Sequence, residues 1–517
     1  MIPVIDIFAG PGGIGEGFSA LETKDGKSAF NIQLSIEKDP VAHLTLRLRS
    51  FFREFNRQEV PSAYYDLLRG RITQDELFDK HARESEIAKK KAWLATLGVV
   101  SQRTVRERID AALGSTDKWV LIGGPPCQAY SLAGRSRNSG NNEYIPEKDI
   151  RQRLYLEFLQ IIGDHWPAIF IMENVKGLLS ATLDNQRIFQ HIVEDLGDPA
   201  RAVRRENRTI HRNGRRHLYR IFSLVTSTEV NGSLNDSVVK AENYGIPQAR
   251  HRVILLGIRD DLDQVRPKAL TKQTSIPAFK VLSDLPAVRS GLSKVKDGQQ
   301  AWLDNLKDGL NRRWFDGILR VGGEKVQNHL KRVLKEIVPP EYGRGGEFMS
   351  VTAEPGYARE WFVDRKLDGV CNHSTRGHMS KDLHRYLYAA CFATIHTRSP
   401  SLKDFPPDLH PAHNNIDRAL ESGNFADRFR VQIKSRPATT ITSHISKDGH
   451  YYIHPDPMQC RSLTVREAAR LQTFPDNYFF MGPRTSQYVQ VGNAVPPLLA
   501  KQIAEIVHDA LNQAGVT

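Results

Sequence analysis

The stretch "PVIDIFAGPGGIG", residues 3–15, decides how the chain is read. Pro3 to Phe8 is an apolar run suited to a buried strand, Gly10 to Gly15 a turn, and Ile14 to Leu21 the start of a helix. "IQLSIEKD", residues 32–39, repeats the strand pattern and ends in acids, and Pro40 to Phe51 carries helical spacing. This is a βαβ opening. Residues 52–118 turn charged and helical, which predicts an insertion with a solvated face. Alternation then resumes: "KWVLIGG" (118–124) as strand, "RLYLEFLQIIGDHW" (153–166) as helix, "AIFIMEN" (168–174) and "HRVILLGI" (251–258) as strands. The fold class is therefore α/β with a largely parallel sheet.

After about residue 260 the alternation stops. Residues 261–434 are rich in Arg, Lys, His and Pro with mixed helix and loop signals, so the sequence predicts a first domain over 1–260, a second over 261–434, and a return to the first over 435–517. Within the return, "LTVREAARLQTF" (463–474) reads as an amphipathic helix and "NAVPPLLAKQIAEIVHDAL" (493–511) as another that begins near Pro-Pro.

Of 517 residues, 40% are apolar and 25% charged, ordinary values for a folded chain. Lys and Arg number 72 against 59 Asp and Glu, a net charge of +13 that favours an anionic partner, nucleic acid first. The four cysteines, Cys127, Cys371, Cys391 and Cys460, lie far apart without a Cys-x-x-Cys pair, so neither a metal site nor a disulfide framework is expected. No apolar run reaches the length of a membrane span, and a cytoplasmic protein is predicted.

Gly10-x-Gly12-x-x-Gly15 after a strand, with Glu37 ending the next one, is the pattern of a dinucleotide site. Glycines let the backbone approach any nucleoside-bearing cofactor, and a strand-end carboxylate accepts from any ribose diol, so NAD and S-adenosylmethionine both satisfy it. The chemistry downstream separates them. In "GGPPCQAYS" (123–131), Pro125-Pro126 can neither continue a central strand nor comfortably start a helix, which sets Cys127 at a strand end. Glu173 ends another strand, and Arg250 and Arg252 stand just before a third. A nucleophile, a proton carrier and a cationic orienter at the edges of one sheet form a set that hydride transfer does not require.

With these residues in view the chain resembles the C5-cytosine DNA methyltransferases. The segments "DIFAGPGGIGEGF", "SIEKD", "GGPPCQAYSLAGR", "MENVKGLLS", "AENYGIPQARHRVILLG", "RSLTVREAARLQTFPDNY" and "QVGNAVPPLLA" stand in that family's order. The resemblance implies a Rossmann-like, S-adenosylmethionine-dependent methyltransferase domain with a second, mixed target-recognition domain. It implies Cys127 as nucleophile on cytosine C6, Glu173 at N3, Arg252 at O2 and Arg250 near the thiolate. It places Phe8 against the adenine, Ala9, Gly10, Gly12 and Gly13 along the methionine part, Glu37 on the ribose, and Pro126 and Asn493 near the sulfonium. The target base must be flipped out of its duplex, so Gln128 to Tyr144 is expected to form a mobile lid, with Gln128 and Ser131 touching DNA and Arg135 and Arg137 on phosphates. In "SHISKDGHYY" (443–452), Ser443, His444, Lys447 and Asp448 are expected to meet base edges, with Gly449 allowing a sharp turn. No metal is expected, the protein is expected to be a monomer acting on double-stranded DNA, and a restriction-modification or phage-defence setting follows from the family. Two alternatives stay open: an RNA (tRNA) cytosine-5 methyltransferase, in which the variable region is smaller, and a catalytically silent DNA-binding module.

Overall fold

The computed structural model describes residues 1–126, 150–175, 183–211, 216–230, 235–321, 323–412 and 427–516. The chain folds as two compact units, one formed by Met1–Val60, Phe78–Thr274 and Ala494–Thr517, the other by Pro61–Leu77 and Ser275–Asn493.

The first unit is built on a sheet of eight strands: β1 (Ile2–Ile7), β2 (Phe30–Glu37), β3 (Ala92–Leu94), β4 (Val120–Gly123), β5 (Ile169–Val175), β6 (Tyr219–Ser223), β7 (Val238–Lys240) and β8 (His251–Arg259). Their order is β3-β2-β1-β4-β5-β8-β6, with β7 also paired to β8. Pairing is parallel from β3 through β5, whereas β8 runs antiparallel to β5, β6 and β7. The expectation of a largely parallel sheet thus holds for one half only. Residues 241–250 alone join β7 to β8, and a parallel return needs a crossover of about a dozen residues or more. The stretch 52–118 is likewise not helical throughout, because Ala92–Leu94 pairs parallel with Ser35–Glu37 and extends the sheet by a strand.

Strand residues alternate between two apolar layers, the period that a sheet covered on both faces requires. Ile5, Ile7, Leu121, Phe170 and Met172 pack on one face with Phe158 and Trp119, while Val4, Val120, Ile122, Ile169 and Ile171 pack on the other. The helix Pro497–Gln513 covers that second face, with Leu499, Ile503, Val507 and Leu511 beside Phe18 and Phe30. The later sequence therefore does come back to the first strands.

The second unit packs the helices Gln299–Asp308, Arg313–Arg320, Glu324–Glu336 and Ser380–His396 around Trp302, Trp314, Leu330, Tyr386 and Leu387. Short strand pairs complete it, Gly291–Leu292 with Gly377–His378 and Phe348–Ser350 with Gly369–Cys371. Its span begins at Ser275 and ends at Asn493, later at both ends than the boundaries 261 and 434 drawn from composition, and it takes in 61–77. Buried ion pairs explain why the segment after 434 stays with this unit. Arg461 holds Glu467 at 2.6 Å through two nitrogens, and Arg470 joins Asp476 (2.5 Å) to Asp284 (3.0 Å). Arg466 donates to the carbonyls of Cys371, Pro475 and Tyr478. The helix Val465–Leu471 opens on a capping box between Thr464 and Glu467 and is buried at every position, charged residues included. The amphipathic reading of "LTVREAARLQTF" fails for that reason: its polar residues face partners, not water.

Candidate active site

β1 ends in a tight turn. Phe8 (φ 55°), Gly10 (φ 57°) and Gly12 (φ 93°) all lie in the left-handed region, which costs Gly least. The turn closes through Gly12 N–H on the Ala9 carbonyl (2.9 Å), and Ala9 N–H donates to Ile36 at the end of β2 (3.1 Å). A Cβ on Gly10 would meet nothing within 4 Å, so open space borders the loop there. At Gly13 the opposite holds: a Cβ would stand 2.4 Å from the Val495 carbonyl oxygen. The glycines therefore serve two ends, a free backbone face on one side and close packing on the other.

Glu37 ends β2 beside this loop. Its Oε2 accepts from Gly10 N–H at 2.7 Å, and Oε1 accepts from Lys38 N–H (2.9 Å) and Asp39 N–H (2.8 Å). With about four lone-pair sites on a carboxylate, Oε2 keeps room for one further donor. An adenosyl ribose hydroxyl next to Gly10 is a donor of that kind, so loop and acid fit an S-adenosylmethionine headed by its nucleoside. β3 ends at the same edge, where Ala95 N–H donates to the Glu37 carbonyl at 2.9 Å.

Beneath the loop lies a buried charge cluster that the sequence reading missed. Glu16 accepts from Arg49 Nε (2.9 Å) and from an Arg53 terminal nitrogen (2.8 Å), with a second contact to Arg49. Burial alone would raise the Glu16 carboxyl, yet Arg49 and Arg53 hold it at about 2. Asp6, on β1 directly before the loop, is pushed up to about 7 by burial, against the pull of Arg53 and with the Glu37 charge adding to the rise. Its Oδ2 has no hydrogen-bond partner among the described residues, and a Cβ at Gly15 would sit 2.9 Å from it. The signal available in the sequence was the spacing of Arg49 and Arg53, four apart at the end of one helix.

The second half of the site is the edge where β4 and β5 end. Gly123 packs on β1, its Cβ position 2.7 Å from the Ile7 carbonyl oxygen. Asn174 Nδ2 donates to the Pro125 carbonyl at 3.2 Å, which ties the Pro-Pro segment to the end of β5. Glu173 Oε1 pairs with Arg252 Nε at 2.8 Å, and a Cβ on Gly124 would stand 3.0 Å from Glu173 Oε2. The antiparallel register sets Val175 opposite Arg252, so β8 delivers its first residues to the edge where β5 delivers its last. Arg250, just ahead of β8, is buried.

The first unit thus brings Phe8, Ala9, Gly10, Gly12, Gly13 and Glu37 together at the end of β1 and β2, and Pro126, Glu173, Arg250 and Arg252 along the same sheet edge. Cys127, Gln128, Ser131, Arg135 and Arg137, with the segment expected to form a lid, lie outside the described residues. Asn493, Ser443, His444, Lys447 and Asp448 belong to the second unit. There Asn493 ends the helix Arg484–Asn493, which lies so close to the 443–446 turn that a Cβ on Gly492 would stand 2.3 Å from Ser443 N. His444, Lys447 and Asp448 are exposed, Ser443 is half-buried, and Gly449 (φ 78°) makes the sharp turn expected of it.

The family profile described as C-5 cytosine-specific DNA methylase matches residues 99–199 and 228–508. The type II methyltransferase M.Bpa9945I of Bacillus paralicheniformis is 30% identical over 98% of this chain and 99% of its own length. The type II methyltransferase M.DdeI of Desulfomicrobium norvegicum is 26% identical over 97% of this chain and 87% of its own. Among solved structures, an E. coli prophage-encoded protein described as a DNA modification methyltransferase aligns with a TM-score of 0.51 at 18% identity, covering 99% of this chain and all of that one, a likeness of fold.

Proposed function

Because the chain belongs to the C-5 cytosine-specific DNA methylase family, we propose that it transfers a methyl group from S-adenosylmethionine to C5 of a cytosine in a specific duplex DNA sequence, through a covalent bond between Cys127 and C6 of the base. The observation that carries this reading is the Glu173–Arg252 pair at 2.8 Å, set beside Gly124 at the sheet edge where the chain runs on to Cys127.

Cytosine C5 is too weakly nucleophilic to attack a methyl group directly, and addition of a thiolate at C6 turns it into an enamine carbon. Electron density then moves toward N3, where a proton or hydrogen bond from Glu173 stabilises the adduct. Arg252 holds Oε1 and leaves Oε2, the oxygen facing Gly124, for the base; any side chain at 124 would crowd that oxygen. The remaining donors of Arg252 suit the cytosine O2, and buried Arg250 supplies positive charge that favours the Cys127 thiolate. S-adenosylmethionine, when bound, supplies an electrophilic methyl on a sulfonium. Phe8 and the glycine turn bind its nucleoside and methionine parts, Glu37 its ribose, and Pro126 borders the sulfonium. Loss of the C5 proton then expels the cysteine and restores the aromatic ring. A base inside a stacked duplex cannot be reached by this set, so the cytosine is flipped out first.

The relatives named type II methyltransferases support a place in a restriction-modification system, and the excess of cations supports a DNA substrate. No helix among the described residues is long and apolar enough to cross a membrane. The test is a duplex carrying 5-fluorocytosine at the target. With cofactor present, wild type should form an adduct that survives denaturing electrophoresis, because fluorine cannot leave as a proton does, and Cys127→Ala should form none. An adduct of equal yield from Cys127→Ala overturns the covalent route.

A further inference from the structure

Arg252 is held through two of its nitrogens. Nε pairs with Glu173 Oε1 at 2.8 Å, and Nη1 donates to the carbonyl of its own neighbour, His251, also at 2.8 Å. The second contact makes the place of the guanidinium depend on where the peptide between residues 251 and 252 lies. That peptide stands at the ragged end of the sheet: β5 pairs no further than Val175 opposite Arg252, so at His251 the strand β8 has β7 alone beside it, with Lys240 opposite. The His251 side chain makes up for the missing neighbour. Successive strand residues face opposite sides, so it turns away from Arg252 and meets Glu242, nine positions earlier, with Nε2 2.7 Å from Oε1. Glu242 stands on a short turn, Ala241–Tyr244, that is pinned from two directions. Gln502 of the last helix donates to the Tyr244 carbonyl at 3.0 Å, and Gln273 N–H donates to the Asn243 carbonyl at 2.8 Å. Glu242 Oε2 is buried with no hydrogen-bond partner among the described residues, so His251 alone among them holds this carboxylate, and a buried carboxylate without a partner is costly. A second bond closes the loop beside the first, from Ala241 N–H to the Arg250 carbonyl at 3.0 Å.

We propose that His251 and Glu242 are positioning residues for the reaction, a clasp that closes the 242–251 loop and thereby fixes Arg252, with the Glu173 it holds, against the target base. Arg250 rides on the same loop and is fixed with it. The proposal rests on the reading of Glu173, Arg250 and Arg252 as the groups that meet the base and the thiolate. The clasp touches neither of those; it acts through the backbone that carries both arginines, tying the free end of β8 to a turn that cannot move. Reacting geometry tolerates little error, since a displacement of about 1 Å can cost about a hundredfold in rate. A hydrogen bond that adds nothing to binding can therefore control the chemical step.

The test is the rate of adduct formation by the full-length protein on the 5-fluorocytosine duplex, with duplex and S-adenosylmethionine saturating. Rates are expressed per cofactor site counted by calorimetry, so that unfolded protein drops out. His251→Ala should slow the adduct by about ten- to a hundredfold, while the affinities for S-adenosylmethionine and for the duplex stay within about twofold of wild type. His251→Gln, whose amide can donate to Oε1 over a similar reach, should recover most of the rate. Glu242→Ala removes the buried carboxylate together with the clasp, leaves no charge unpaired, and should lose as much as His251→Ala. The double variant should lose no more than either, because the two residues act as one unit. Where wild type forms the adduct, three results would each overturn the clasp and keep the enzymatic reading: His251→Ala at the wild-type rate, His251→Gln as slow as His251→Ala, or losses that multiply in the double variant. A rate that falls together with both affinities would likewise reduce the pair to a structural support. A wild type that forms no adduct removes the covalent reading, and the role of the clasp with it.

Discussion

Gly17 and Pro497 meet backbone to backbone: a Cβ on Gly17 would stand 2.4 Å from the Pro497 carbonyl oxygen and 2.5 Å from the Ala500 Cβ. The helix that follows the glycine loop is held at its depth by this contact. Gly17→Ala should therefore push the two helices apart and destabilise the first unit by about 1–3 kcal/mol, the usual range for overpacking. Thermal denaturation of the variant measures the loss, and a melting temperature equal to wild type would mean that the helices separate without strain.

Asp6 gives the first unit a pH dependence of definite sign. Its folded pKa of about 7 lies above the ordinary aspartate value of about 3.8, so its contribution is fully present below about 4 and is lost as pH rises through 7. The span corresponds to at most about 4 kcal/mol. Asp6→Asn, which keeps an acceptor for Gly15 N–H, should be more stable relative to wild type at pH 8 than at pH 5 in urea titrations.

His373 works in the other direction within the second unit. Buried between Thr464 and the Pro286 carbonyl, its imidazole is pushed down to about 4 by burial, so its contribution is present above pH 6.5 and lost as pH falls toward 4. The loss amounts to about 3 kcal/mol. Replacing it by Gln should flatten the acid limb of the stability profile between pH 6.5 and 4; an unchanged limb would assign that limb to other groups.

Glu37 accepts from the backbone N–H groups of Gly10, Lys38 and Asp39, which fixes its carboxylate beside the glycine loop. Glu37→Ala should weaken S-adenosylmethionine binding by roughly 1.5–3 kcal/mol, the scale of a hydrogen bond to a charged group. Calorimetry is the measurement, with NAD expected not to bind; tight NAD binding and none of S-adenosylmethionine would overturn the choice of cofactor.

What could be read in advance divides along physical lines. The β1 turn was legible because left-handed backbone asks for glycine, and Gly10, Gly12 and Glu37 lie within one βαβ unit. Glu16 with Arg49 and Arg53 was not, since these pairs span 33 and 37 residues and each member looks like a surface charge on its own helix. The three residues of β3 offered too short a period to stand out from the Lys-rich helix before them. The antiparallel half of the sheet was hidden because apolar runs such as "HRVILLGI" carry no sign of direction. Arg461, Arg466 and Arg470 read as a polar face because periodicity records where charges lie and not whether a carboxylate or a carbonyl waits opposite them.

The contact of Gly17 with Pro497 also orders events in time. On the ribosome, the glycine loop and the helix behind it emerge early, but the surface they pack against is translated only after all of the second unit. Residues 275–493 can collapse around their own core while the first sheet still waits, with Phe18 and Phe30 exposed, for a helix not yet made. So long-range a closure slows folding, because the partner of the first helix is the last long helix of the chain to be made.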